Sequence, residues 1–220
     1  MDVDHDASVR AGVEEVLSRH GRIDGLVASA GWGIAGAVEH TAVDEAKAQF
    51  ETNFWGATRI VQEVLPAMRR QGAGRIVLIS SIGGVVALPY QGFYSASKFA
   101  LEGLGEALAY EVAPFGVTVT LVEPGNIATE FTERRRFARA ADADNTYRQA
   151  IKKAIAVMER DEVNGAPPDH VARAVHRVLE ARRPPRRVSV GKVTERVGII
   201  GKRLLPYRVF EAAAKGPLGV

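Results

Sequence analysis

Short aliphatic runs of four to six residues alternate along this chain of 220 residues with longer stretches whose apolar positions recur every three to four residues. A pleated strand presents side chains with period two and a helix with period 3.6, so this alternation is the pattern of βαβ units laid around a parallel sheet. Residues 23–28, 75–80, 117–122 and 187–190 read as strands, and the middle two are apolar on both faces, as strands covered on both sides must be. Helices are expected over residues 7–20, 44–71, 94–115 and 168–181, with Gly72 and Gly116 where two of them should stop and Asp169 opening the last. The expectation is one α/β domain over residues 1–220, a doubly wound parallel sheet of about four strands. Residues 126–165, rich in Arg, Ala and Asp, break the rhythm and are read as a mobile helical flap over a site.

Composition removes whole classes of chemistry. There is no cysteine, so disulfides, thiolate nucleophiles and thiolate-bound metals are excluded, and a cytoplasmic location is expected. No apolar run approaches the roughly 20 residues of a membrane-spanning helix, and the start, Met1 to Asp6, is acidic where a secretory signal would be basic. The net charge is only +3, with arginines in scattered clusters at 134–136, 182–183 and 186–187. Those clusters read as solvated faces, and no nucleic-acid partner is expected. Nor is a metal, because the five histidines and the carboxylates show no ligand spacing.

The residues that could carry chemistry gather at predicted strand ends, where open α/β sheets bind ligands. Tyr94 and Lys98 lie four positions apart, on one face of a predicted helix. A neighbouring cation favours the phenolate and would lower the tyrosine pKa toward neutrality, which suits acid/base work. Ser81, thirteen positions before Tyr94, closes a strand and could polarise a carbonyl oxygen, although Ser80 and Ser81 could equally satisfy backbone groups there. Asn53, on the apolar side of its helix, is either a structural plug or a ligand to a water near the site. Pro124-Gly125-Asn126 follows the third strand, where the glycine admits a close neighbour and Thr129 supplies a hydroxyl, and Ala30-Gly31 makes a tight turn after the first.

Taken together, the strand ending Ile79-Ser80-Ser81, the pentad Tyr94-Ser95-Ala96-Ser97-Lys98, the strand leading to Pro124-Gly125 and Asn53 upstream resemble the short-chain dehydrogenase/reductase family. The tract from Ser97 to Leu104 and the later Leu205-Pro206 are similar to its steroid- and retinol-type members. The resemblance implies a Rossmann-like fold and hydride exchange between NAD or NADP and a hydrophobic secondary alcohol or ketone. It makes Tyr94 the general acid/base and Lys98 the residue that lowers its pKa and binds the nicotinamide ribose. It gives Ser81 the substrate oxygen and Asn53 a water between Lys98 and solvent. Pro124, the backbone at Gly125 and Ile127, and Thr129 would grip the nicotinamide end; Ala30 and Gly31 would line the cofactor, and Asp2 and Val3 look like the family's adenine-contacting pair. Pairing of two copies through residues 54–71 and 94–115 is expected from the same source.

Two departures accompany it. Ala28-Ser29-Ala30-Gly31 replaces the family's Asn-Asn-Ala-Gly, which removes a bracing amide. The glycine-rich Gly-x-x-x-Gly-x-Gly turn and the two βα units around it do not occur in the sequence, so an N-terminally truncated sheet is expected, with the strand at 23–28 as its edge and Asp2-Val3 frayed. A cofactor-free relic acting as a dimerisation or binding module, and an unrelated α/β binding domain, are the alternatives.

Overall fold

In the computed structural model, which describes residues 1–141 and 146–218, four parallel strands form one sheet. They are β1 (Gly25–Ala28), β3 (Gly74–Ile79), β4 (Val117–Pro124) and β6 (Arg187–Val190), in the order β1-β3-β4-β6. The register runs Leu26 opposite Ile76, Ile76 opposite Val119, and Val122 opposite Val188. All four lie within two residues of the expected positions, and β1 is an edge strand as expected.

The period-two alternation of the strands decides what covers each face. Ile76 and Leu78 of β3 with Val119 and Leu121 of β4 point to one side, where α1 (Asp6–His20), α3 (Ala57–Gln71) and α4 (Gly92–Val112) bring Val9, Val13, Ile60, Val64, Leu101 and Leu108 against them. Val77 and Val122 point to the other, against Val178 of α6 (Asp169–Glu180). Each such side chain, fully buried, contributes about 1.5–3 kcal/mol, and the two faces together make an α/β/α sandwich of the Rossmann type. Gly72 and Gly116, with φ of 67° and 71°, take the left-handed conformation that ends α3 and the turn after α4.

The helix expected over 44–71 is two helices. The first, α2 (Val43–Phe50), passes through a wide π-helical turn, Glu51–Gly56, before α3 begins. That turn rotates Asn53 inward, where it is buried. The N-terminal residues do not fray. Asp2 N–H donates to Ser8 Oγ, Arg59 reaches the Val3 carbonyl, and Val3 packs where any side chain on Gly56 would fall.

A small unit stands over the C-terminal edge of the sheet. Its two-residue strands β2 (Ile34–Ala35) and β5 (Arg136–Phe137) pair in parallel, and α5 (Arg148–Val163) sets Ile151, Ile155 and Met158 on Ala35 and Ala37. The expected flap is thus largely this unit; Asp142 to Asn145 lie outside the described residues. Its base is pinched, with Ala128 N–H donating to the Ala166 carbonyl and Ala166 N–H to that of Asn126. Beyond β6, α7 (Val193–Leu204) and α8 (Tyr207–Leu218) complete the described chain.

Candidate active site

Parallel strands deliver their C-terminal ends to one edge of the sheet, and three loops and the start of α4 converge there on a cleft of about 790 Å³. Ser29 and Gly31 come from the β1 loop, Ser81 and Ile82 from β3, Pro124 to Ile127 from β4, and Tyr94 and Lys98 from α4; Phe131 and Met158 roof it. The walls are mainly apolar, and that governs the electrostatics.

Each polar residue of the pentad has its own task. Ser95 Oγ accepts a hydrogen bond from Leu88 N–H, tying down the loop before α4. Ser97 Oγ donates to the Tyr94 carbonyl and accepts from Asn53 Nδ2. Lys98 Nζ donates to the Ile79 carbonyl at 2.9 Å, at the end of β3. Tyr94 is buried in the first turn of α4, with its ring 5.6 Å from that of Phe131.

Burial pushes the Tyr94 phenol up to about 12, against the nearby Ser81 hydroxyl, which favours the phenolate. Burial also pulls Lys98 down to about 8, opposed by the Glu102 carboxylate one turn along α4. The expectation that Lys98 lowers the tyrosine pKa is therefore corrected. Its ammonium lies 6.0 Å from the centre of the Tyr94 ring and is committed to a backbone carbonyl, so desolvation decides both groups.

Ser81 satisfies a backbone group at its strand end, as one of the two readings of the sequence expects. Its Oγ accepts from Gly83 N–H at 2.9 Å, capping a short turn, while the residue also lines the cleft beside Tyr94. Asn53 is the plug: Oδ1 accepts from Trp32 N–H, and Nδ2 donates to the Trp32 carbonyl and to Ser97, at 3.0–3.1 Å. These bonds brace the turn after Ala28-Ser29-Ala30-Gly31, which answers the missing family amide. They also explain the glycine, because a Cβ on Gly31 would come within 3.1 Å of Asn53 Oδ1 and 3.5 Å of Lys98 Nζ.

Pro124, Gly125, Ile127 and Thr129 line the cleft, but the open space beside Gly125 is taken by this chain itself. Glu195 of α7 accepts from Asn126 N–H and Nδ2, at 3.1 and 2.7 Å, and its carboxylate occupies the volume a Gly125 side chain would need. Nothing local in the sequence links residue 195 to residue 125. Asp2 and Val3 are outside the lining of the cleft, against α1 and the start of α3. Ala30 flanks the lining residues Ser29 and Gly31.

The nicotinamide half of a dinucleotide fits what is present. Lys98 offers its ammonium beside the side-chain-free Gly31, and Ile127 and Thr129 face the same space from the other side.

The description "short chain dehydrogenase" fits residues 1–140 as a family match. Among curated relatives, a 3-ketodihydrosphingosine reductase of Bacteroides thetaiotaomicron is 40% identical over 215 residues, which is 98% of this chain and 80% of the relative. Human 17-beta-hydroxysteroid dehydrogenase type 1 is 42% identical over 134 residues, 61% of this chain and 40% of that one. A solved short-chain dehydrogenase from Streptomyces avermitilis superposes with a TM-score of 0.81 at 32% identity, over 98% of this chain and 78% of its own. A family match over more than half the chain, a 40% relative covering nearly all of it and the shared fold agree with the Tyr94–Lys98 cleft: the chain belongs to the NAD(P)-dependent short-chain dehydrogenase/reductase family.

Proposed function

We propose that this chain reduces a hydrophobic ketone to a secondary alcohol, with Tyr94 as the proton donor. The observation that carries the reading is the pairing of a buried phenol, held protonated by a pKa near 12, with the Ser81 hydroxyl on the wall of an apolar cleft. A protonated phenol is an acid, which is what a developing alkoxide needs. The names of the two curated relatives, one for a 3-keto compound and one for a hydroxysteroid, point to the same class of substrate.

The reduced nicotinamide of NADH or NADPH would supply the hydride when bound. Ser81 orients the carbonyl oxygen, and Tyr94 donates its phenolic proton to that oxygen as it gains charge. Lys98 holds the nicotinamide ribose, and Tyr94 recovers its proton from solvent by way of Lys98 and a water that hydrogen-bonds to the second lone pair of Asn53 Oδ1. Phe131, Leu88 and Met158 select for an apolar substrate body. The segment from Asn126 to Gly165 serves as the lid, and two copies pair through residues 54–71 and 94–115.

Tyr94→Phe keeps the ring and removes the proton. Ketone reduction should fall by on the order of 10²-fold or more, with melting temperature and NADH or NADPH binding preserved. Turnover at the parent rate would refute the assignment.

One observation favours a second reading, a binding module that no longer takes cofactor: Glu195 already fills the space beside Gly125. Calorimetric titration of NADH and NADPH separates the two, since the module reading requires that neither binds.

A further inference from the structure

Amphipathic helices in a globular fold turn their apolar stripe inward. α7 does the reverse. Val193, Val197, Ile200 and Leu204 recur at i, i+4, i+7 and i+11, which places them on one face, and they are 72, 59, 55 and 77% exposed. The face that touches the protein is held by Ile199, which is buried, by Glu195 on the Asn126 turn, and by Lys202, which donates to the Val85 carbonyl and lies over the Phe99 ring. The helix is therefore anchored with its apolar stripe facing out. Tyr207 and Val209, at the start of α8, are exposed as well.

Charge names what this face meets. From Arg182 onward the sequence has ten basic and two acidic residues, so this tail is strongly positive while residues 1–181 carry more acidic than basic side chains. The small net charge of the whole chain conceals that asymmetry. Lys192, Arg196 and Arg208, all exposed, flank the stripe. A second copy seated here would bring two positive tails together, which like-charge repulsion opposes. Nucleic acid would satisfy the charge and leave the aliphatic stripe in water. An anionic bilayer satisfies both, taking apolar side chains below its headgroups and basic ones at their level. No described helix is long and apolar enough to cross a membrane, so the contact is one of lying on the surface.

We infer that α7 and the start of α8 form a docking face for an anionic lipid bilayer. Glu195, on the opposite and anchored face of α7, joins the helix to the Pro124-Gly125-Asn126 turn that lines the cleft. The inference does not depend on the proposed reduction, since binding is measured without turnover.

The test is flotation of the full chain with vesicles of phosphatidylcholine mixed with phosphatidylglycerol, beside vesicles of phosphatidylcholine alone, at low and high salt. The protein should float with the mixed vesicles, weakly with the neutral ones, and less as salt rises. Val197→Glu combined with Ile200→Glu should lower partitioning on the order of tenfold or more, with circular dichroism and melting unchanged because both residues are exposed. Comparison of the two vesicle types with the unaltered protein needs no variant, so it decides the matter even if the variant misfolds. Failure to float with mixed vesicles overturns the proposal. So does flotation that the two glutamates leave unchanged, or light scattering that finds the stripe covered by a second copy which the variant sheds.

Discussion

Replacing Lys98 by methionine should make the protein more stable at neutral pH. The ammonium is buried, and burial holds its pKa at about 8 instead of 10.5. Folding therefore penalises the charged form. The gap between those two values, at ~1.36 kcal/mol per unit of pKa, sets a ceiling of about 3 kcal/mol on the penalty. Methionine forfeits the hydrogen bond from Nζ to the Ile79 carbonyl, which contributes about 1 kcal/mol, so a net gain of about 2 kcal/mol remains. For a chain of this length that is a rise in melting temperature of roughly 4–8 °C. The pH dependence is as diagnostic as the size. Below about pH 8 the lysine is protonated in both folded and unfolded chains and the whole penalty stands. Between about 8 and 10.5 the folded lysine is neutral while the unfolded one still holds its proton, so the parent gains stability as pH rises and the advantage of the variant shrinks. Thermal melts of parent and variant across that window measure both features. A variant that melts at or below the parent at pH 7, or one whose advantage is constant through the window, would refute the claim that desolvation governs Lys98.

Three other substitutions probe the supports of the cleft. Asn53→Ala leaves the Trp32 N–H without its acceptor and should cost about 1–3 kcal/mol in urea unfolding. Glu162→Gln removes the charge that faces the fully buried Arg135 side chain, and with Glu159 as the remaining partner at 3.6 Å the cost should be near the lower end of ~3–5 kcal/mol, read from the same curves. Gly125→Ala drives the Glu195 carboxylate from its seat, so amide exchange in α7 should quicken while exchange in the four-stranded sheet is unchanged.

The sheet was legible in the sequence because its signal is local and repeated. A strand such as Gly74–Ile79 announces itself by four consecutive aliphatic residues, Ile76 to Ile79, preceded by turn residues, and a Gly at the end of α3 needs no partner to be read. The break inside residues 44–71 was not legible, since Glu51–Gly56 keeps a helical spacing and only the hydrogen bonds of Asn53 to Trp32, twenty-one residues away, make a wider turn worthwhile. Pairing of Ile34–Ala35 with Arg136–Phe137 joins two residues to two others a hundred positions on, too few to show any period. The site divides in the same way. Ser81, Tyr94 and Lys98 were readable from position along strand and helix, whereas Glu195 belongs to the site only through the path of the chain after β6. The pKa values were misjudged for a related reason: spacing shows that Lys98 is near Tyr94, and only the packed cleft shows which carbonyl the ammonium meets.

That last point bears on how the cleft works. In water a phenol and an ammonium have nearly equal pKa values, so proximity alone leaves the proton little preference. Here one desolvating environment moves them in opposite directions, to about 12 and about 8, because it disfavours the anion of one and the cation of the other. At neutral pH both groups are then protonated, the phenol firmly and the ammonium less so, and the cleft at rest holds a neutral phenol beside a cation. Reduction of a ketone uses that state directly. Oxidation of an alcohol would first have to draw the proton off a phenol whose described opposing influences are the Ser81 hydroxyl and the more distant Arg135. The apolar walls of the cleft and the retention of the Tyr94 proton are thus a single property of the packing, and a polar residue placed on the wall would weaken both.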